Sequence, residues 1–232
     1  GSGSRFPMDK RYFGAIAIAF AAALWALDGI VLRPSLYSLD PLSVVFAEHA
    51  LAFVLMSIFL FHHFRNFRSL DIREWLAVGF IGLLGGVLGG FAITKAIFLV
   101  FTQGANISVV LLLQKLQPIF AIALAVILLK ERPTKRYFLW VLVALAGSYL
   151  LTFGVQSPSL VFSDPTIIAA LLAVLAAASW GASTAIGKYA LQRISFVDGT
   201  LLRFMATTII AGLLLVLVGD VGSFSSFSSS NY

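Results

Sequence analysis

The chain has 232 residues, of which 60% are hydrophobic and only 11% charged, with a mean hydropathy of +0.99. A soluble domain of this size cannot hide so much apolar surface, because most residues of a small domain touch its outside, so the composition specifies a polytopic membrane protein. The formal charge of +6 would point to nucleic acid in a soluble protein, but here a bias of basic residues toward one set of loops explains it, and no nucleic-acid partner is expected.

Taken in order, the chain opens with Gly1-Ser2-Gly3-Ser4, which reads as a tag remnant, and residues 1–11 form that remnant and a cytoplasmic N-terminus. Seven apolar runs predict helical spans near 12–32, 42–61, 75–100, 106–129, 137–155, 166–187 and 199–218. Each is about twice the length of a barrel strand, so the fold class is all-α. Span one carries Trp25 and Asp28. Asp40-Pro41 punctuates the start of span two, where proline suits a first helical turn, and span two holds Glu48-His49. Span three contains GLLGGVLGG, with Gly82, Gly86 and Gly90 four apart on one nearly bare face that lets another helix approach. Lys95 follows one turn later.

Span four is the most informative stretch. Gln114, Lys115 and Gln117 interrupt an apolar run, and Pro118 crowds the carbonyl of Gln114 while removing one helix hydrogen bond. A polar, loosened mid-span suggests a surface for something other than lipid. Span five is almost wholly apolar, span six holds Trp180 and span seven Arg203, and a serine-rich tail occupies 219–232. With the N-terminus inside, twelve basic residues fall in inner segments against one, Arg33, in an outer loop. That asymmetry predicts a multi-pass protein of the plasma or inner membrane.

The chain also repeats itself. An offset of 155 residues places Trp25 on Trp180, Arg33 on Lys188 and Glu48 on Arg203 without a gap. Five spans separate the copies, an odd number, so the second copy is inverted in the membrane, a transporter architecture with its site at the repeat interface. Residues 12–155 form a first five-helix repeat, and 166–218 form the first two helices of a second. Seven of an expected ten helices are thus present, and the natural chain is expected to continue.

Three segments together resemble the EamA-type branch of the drug/metabolite transporter superfamily. They are the tryptophans opening each repeat, at Leu24-Trp25 and Ser179-Trp180; LLLQKLQPIFAIALAVILLKERPT, from Leu111 to Thr134; and WVLVALAGSYLL, from Trp140 to Leu151. The resemblance covers residues 12–218. It implies two inverted five-helix repeats, both termini cytoplasmic, and ATP-independent movement of small metabolites, often amino acids outward. Where the family often has a basic residue in its second helix, this chain has Glu48.

A lone charge at the bilayer centre costs about 2.5–3.5 kcal/mol on insertion scales, so such residues pair or face water. Asp28, Glu48, Lys95 and Lys115 are expected at similar depth in the outer half, lining a polar cavity with Gln114, Gln117, Trp25 and Trp180. The two lysines would attract a carboxylate and the acids an amine, with Arg203 as an inner gate. Mutual cancellation of the charges, holding helices in register, is the alternative. The expected function is secondary transport of polar metabolites, amino acids or related zwitterions, with Glu48 as a carrier for coupled protons. A non-transporting scaffold or a membrane-embedded enzyme is the alternative reading. Catalysis is disfavoured: the chain has no cysteine, no clustered His/Asp set and no phosphate-binding glycine loop. No metal or cofactor is expected, and a homodimer is left open.

Overall fold

The structure is a computed structural model that describes residues 10–130, 132–153, 155 and 164–218. The tag remnant, Glu131, most of the connection after span five and the serine-rich tail lie outside the described residues. The described residues form seven helical rods joined by short turns, without a strand among them. α1 (Lys10–Leu27) continues through a π-helical turn, Asp28–Leu32, into Arg33–Ser35. α2 (Pro41–Leu60) is followed by a 3₁₀ segment, Phe61–Ser69. α3 (Ile72–Ile81) runs through a π-helical stretch, Gly82–Leu88, into α4 (Gly89–Gln103). α5 (Ile107–Gln114) and α6 (Gln117–Leu129) are two halves of one span; α7 (Lys135–Phe153), α8 (Asp164–Ala190) and α9 (Phe196–Val218) follow.

Among the described residues, five rods are long and apolar enough to cross a membrane: Pro41–Ser69, Ile72–Gln103, Ile107–Leu129, Asp164–Ala190 and Phe196–Val218. α1 and α7, of 18 and 19 residues, also have the length to span. The predicted starts hold where capping chemistry marks them. Asp40 accepts from the Ser43 amide at 2.9 Å ahead of Pro41, and Asp71 and Glu74 close a reciprocal capping box at the start of α3. Gly104, at φ +70°, ends α4 in a left-handed turn that few other residues accept.

Small residues set the packing. Ala169, Ala173 and Ala176 of α8 are fully buried against Ala92, Ile93 and Ala96 of α4. A second core joins Phe67 and Val78 to Leu201, Leu202 and Ala206 of α9. The glycine ladder touches three helices rather than one. A Cβ on Gly82 would lie 2.7 Å from that of Ala206, and one on Gly86 would collide with Thr207, both on α9. Gly85 and Gly89 face Ser183 and Trp180 of α8, and Gly90 faces Val45 of α2. The π-helical widening explains the difference from the single face read at helical spacing, because it shifts the azimuth of every following residue. Gly181 does the same for α6: its Cβ would lie 2.7 Å from the Ala121 amide nitrogen.

Gly86→Ala should lower the thermal midpoint in detergent, since overpacking a filled contact costs about 1–3 kcal/mol. Gly79→Ala, where a Cβ meets nothing within 4 Å, should leave the midpoint equal or higher. Equal midpoints for the two variants would contradict the ladder's packing role.

Candidate functional site

Pro118 has no amide hydrogen, so the helix cannot run continuously through the middle of span four. The chain turns at Lys115-Leu116 instead, with tight bonds from the Lys115 amide to Leu112 O and from the Leu116 amide to Leu113 O, both 3.1 Å. This break presents Gln114, Lys115 and Gln117 to a cavity of about 740 Å³. Trp25 of α1, Trp180, Ser183, Thr184 and Lys188 of α8, and Thr200 and Arg203 of α9 line the rest. The cavity reaches from mid-span to the α8–α9 connection, where Leu191, Ile194 and Ser195 form its lip.

Trp25 and Trp180 meet edge to face, ring centroids 5.6 Å apart at 77°. The indole N–H of Trp180 donates to Gly85 O at 3.0 Å, a carbonyl within the π-helical stretch. Among the described lining residues there are three cationic side chains and no carboxylate. Neither the Lys115 nor the Arg203 side chain has an ion-pair or hydrogen-bond partner among the described residues. The cavity therefore offers indole surface, amides, hydroxyls and cationic donors to a solute.

The acids expected in the same cavity sit elsewhere. In a regular α-helix, residues five apart diverge by about 140°, but the π-helical turn after Leu27 puts Arg33 on the same face as Asp28. The Arg33 guanidinium donates to Asp28 Oδ2 at 2.8 and 3.1 Å and to Glu48 Oε2 at 3.1 Å, and it also donates to the Thr94 hydroxyl. Arg33, read in the sequence as an outer-loop residue, is thus buried, only 7% exposed, and ties α1, α2 and α4 together. Lys95 belongs to neither group: it is exposed, its ammonium 5.7 Å from the centre of the Phe91 ring. The four charges expected together are therefore split, because depth along a helix is legible in sequence and azimuth is not. His49 packs on Phe204, ring centroids 5.5 Å apart, with Nδ1 2.8 Å from Val45 O.

At the lip end, contacts at two carboxylates, Asp198 and Glu74, escaped sequence reasoning. His63 Nδ1 lies 2.5 Å from Asp198 Oδ1, and Asn66 donates to the same carboxylate at 3.0 Å. Arg193 donates to Glu74 Oε1 at 2.9 Å. Both pin the α8–α9 connection to the 61–74 segment. Their partners are more than a hundred residues apart, so no local pattern announces them. Among the described residues no group of His, Asp and Glu could hold a metal ion.

A cavity between tryptophan-bearing helices thus lies beside a proline-broken span. The EamA-like transporter family matches residues 12–153, ending on the last residue of α7. The chain belongs to the EamA-like transporter family. A relative is the riboflavin transporter ImpX of Fusobacterium nucleatum subsp. nucleatum, 40% identical over 226 residues, 97% of this chain and 75% of the relative. No solved structure matches the chain. The family supports membrane transport of small metabolites by a multi-pass helical protein.

Arg33→Leu should destabilise the protein, because it strands two carboxylates. Breaking a fully buried pair costs about 3–5 kcal/mol, and the loss here should be smaller because Asp28 and Glu48 keep 26% and 32% of their side-chain exposure. Adding Asp28→Asn and Glu48→Gln to Arg33→Leu should recover most of the lost midpoint. A triple variant as unstable as the single one would contradict the pairing.

Proposed function

We propose that this chain carries a flat, polar heteroaromatic solute of the riboflavin kind across the bilayer by alternating access. The observation that carries the reading is the cavity's chemistry: two contacting indoles beside Lys115, Arg203, Gln114 and Gln117, without a carboxylate among the described lining residues. A flavin ring stacks on indole. Its carbonyl and ring-nitrogen acceptors suit ammonium, guanidinium and amide donors. Its sugar-alcohol chain finds hydroxyl partners at Ser183, Thr184 and Thr200. The volume of about 740 Å³ lies within the range of small-molecule sites. The name carried by the relative that aligns with 97% of this chain points the same way.

This reading departs from the amino-acid solute expected from the sequence. An α-ammonium needs an acceptor, and the intramembrane acids Asp28 and Glu48 are engaged by Arg33 away from the cavity. Aromatic surface and the Lys115 and Arg203 cations favour a ring with acceptors over a small zwitterion.

The test is riboflavin flux into proteoliposomes containing the purified protein. Saturable uptake above that of empty vesicles is expected, competed by flavins and not by amino acids. Lys115→Ala and Arg203→Ala should each reduce it at least several-fold, since a lost charge-assisted hydrogen bond is worth about 1.5–3 kcal/mol. Uptake of amino acids with no flavin competition would overturn the reading.

A further inference from the structure

Two observations meet at the offset of 155 residues. First, the offset is structural as well as sequential. Trp25 and Trp180 touch each other. The Ser43 amide is capped by Asp40, and the Asp198 amide by Ser195, each pair related by the offset, at 2.9 and 3.1 Å. Glu48 and Arg203 each lie seven residues into their helix. Second, the offset carries the cavity wall onto the charge cluster. Ser183, Lys188 and Arg203 line the open cavity, and their counterparts Asp28, Arg33 and Glu48 are drawn together in a closed cluster.

α1 ends and α2 begins at the end of the bundle opposite the lip, and Thr94 lies in the half of the Ile72–Gln103 span toward that end. Residues related by the offset thus line a cavity on one side and are drawn together on the other. We infer that the Arg33–Asp28–Glu48 cluster, latched to the Thr94 hydroxyl, is the gate that closes the end opposite the cavity mouth. Separation of Arg33 from the two acids opens that end. The inference rests on the transport reading above and goes beyond it by naming which side chains alternate.

The geometry fits a gate better than a static brace. The acids keep a quarter to a third of their side-chain exposure, so packed side chains do not lock them in place when the cluster parts. Behind them Val45 is fully buried against the bare backbone of Gly90. Its counterpart by the offset, Thr200, lines the open cavity. On the open side the counterparts Lys188 and Arg203 carry charges of the same sign, where the closed side has an attracting pair. On this account Glu48, read from the sequence as a proton carrier, holds the gate shut.

The chain contains no cysteine, so single cysteines report without background. Val45→Cys and Thr200→Cys are each labelled in membranes with a small hydrophilic thiol reagent. In the parent, Thr200→Cys should label readily and Val45→Cys little. Adding Asp28→Asn with Glu48→Gln, which keeps the acceptors and removes the charges, should raise Val45→Cys labelling several-fold and lower that of Thr200→Cys. Asp28→Asn alone gives a milder second variant with the same reciprocal change, for use if the pair fails to fold. Lys95→Ala, near the same end, should change neither site. Unchanged Val45→Cys labelling, or a rise at both sites together, would overturn the gate. The labelling needs no solute. Reciprocal labelling without flavin flux would therefore sink the substrate assignment alone, and flavin flux without reciprocal labelling would sink the gate alone.

Discussion

Inside a bilayer a backbone carbonyl released from its helix must find a donor, and the stretch from Gly82 to Leu88 shows how much follows from that requirement. Here the rod widens into a π-helix. The Gly85 carbonyl is met by the Trp180 indole at 3.0 Å, and the Gly82 carbonyl lies 3.4 Å from the Thr207 hydroxyl. Both donors reach in because the intervening residues lack side chains. The same contacts that satisfy the backbone bring α8 and α9 against the ladder and turn Trp180 toward Trp25. A cavity bounded by α1, α8, α9 and the break in span four is the consequence. Adding side chains to the ladder would push away helices that line the cavity.

The protein separates its intramembrane charges by role. Arg33, Asp28 and Glu48 neutralise one another around a π-helical turn, leaving one net negative charge spread over two partly exposed carboxylates. Lys115 and Arg203 stay solvated by the cavity. A cation beside water avoids most of the insertion cost and stays available to a solute, whereas the paired set is bound by attraction.

Much of this was legible in the sequence because it follows from local chemistry. Run lengths revealed the spans, Pro118 the break and Asp40-Pro41 a helix start; the offset of 155 residues set Trp25 beside Trp180 in sequence without saying that the two touch. Hydropathy cannot see a π-helical turn, so Arg33 passed for a loop residue, although it stands five positions from Asp28. Lys95 has the depth of a cavity residue and the wrong azimuth. The lip contacts, His63 with Asp198 and Arg193 with Glu74, depend on tertiary folding between distant segments. The acids were placed in the cavity because composition shows that they must be compensated but not by which cation.

The central claim is that the touching tryptophans form the wall on which a flavin rests. The chain has four tryptophans, and Trp75→Phe with Trp140→Phe leaves only Trp25 and Trp180. The decisive measurement is the emission of that variant during titration with riboflavin, corrected against free tryptophanamide. Saturable quenching that is weakened by Lys115→Ala is the predicted result. Quenching that rises linearly, no stronger than that of the free indole, would contradict the account.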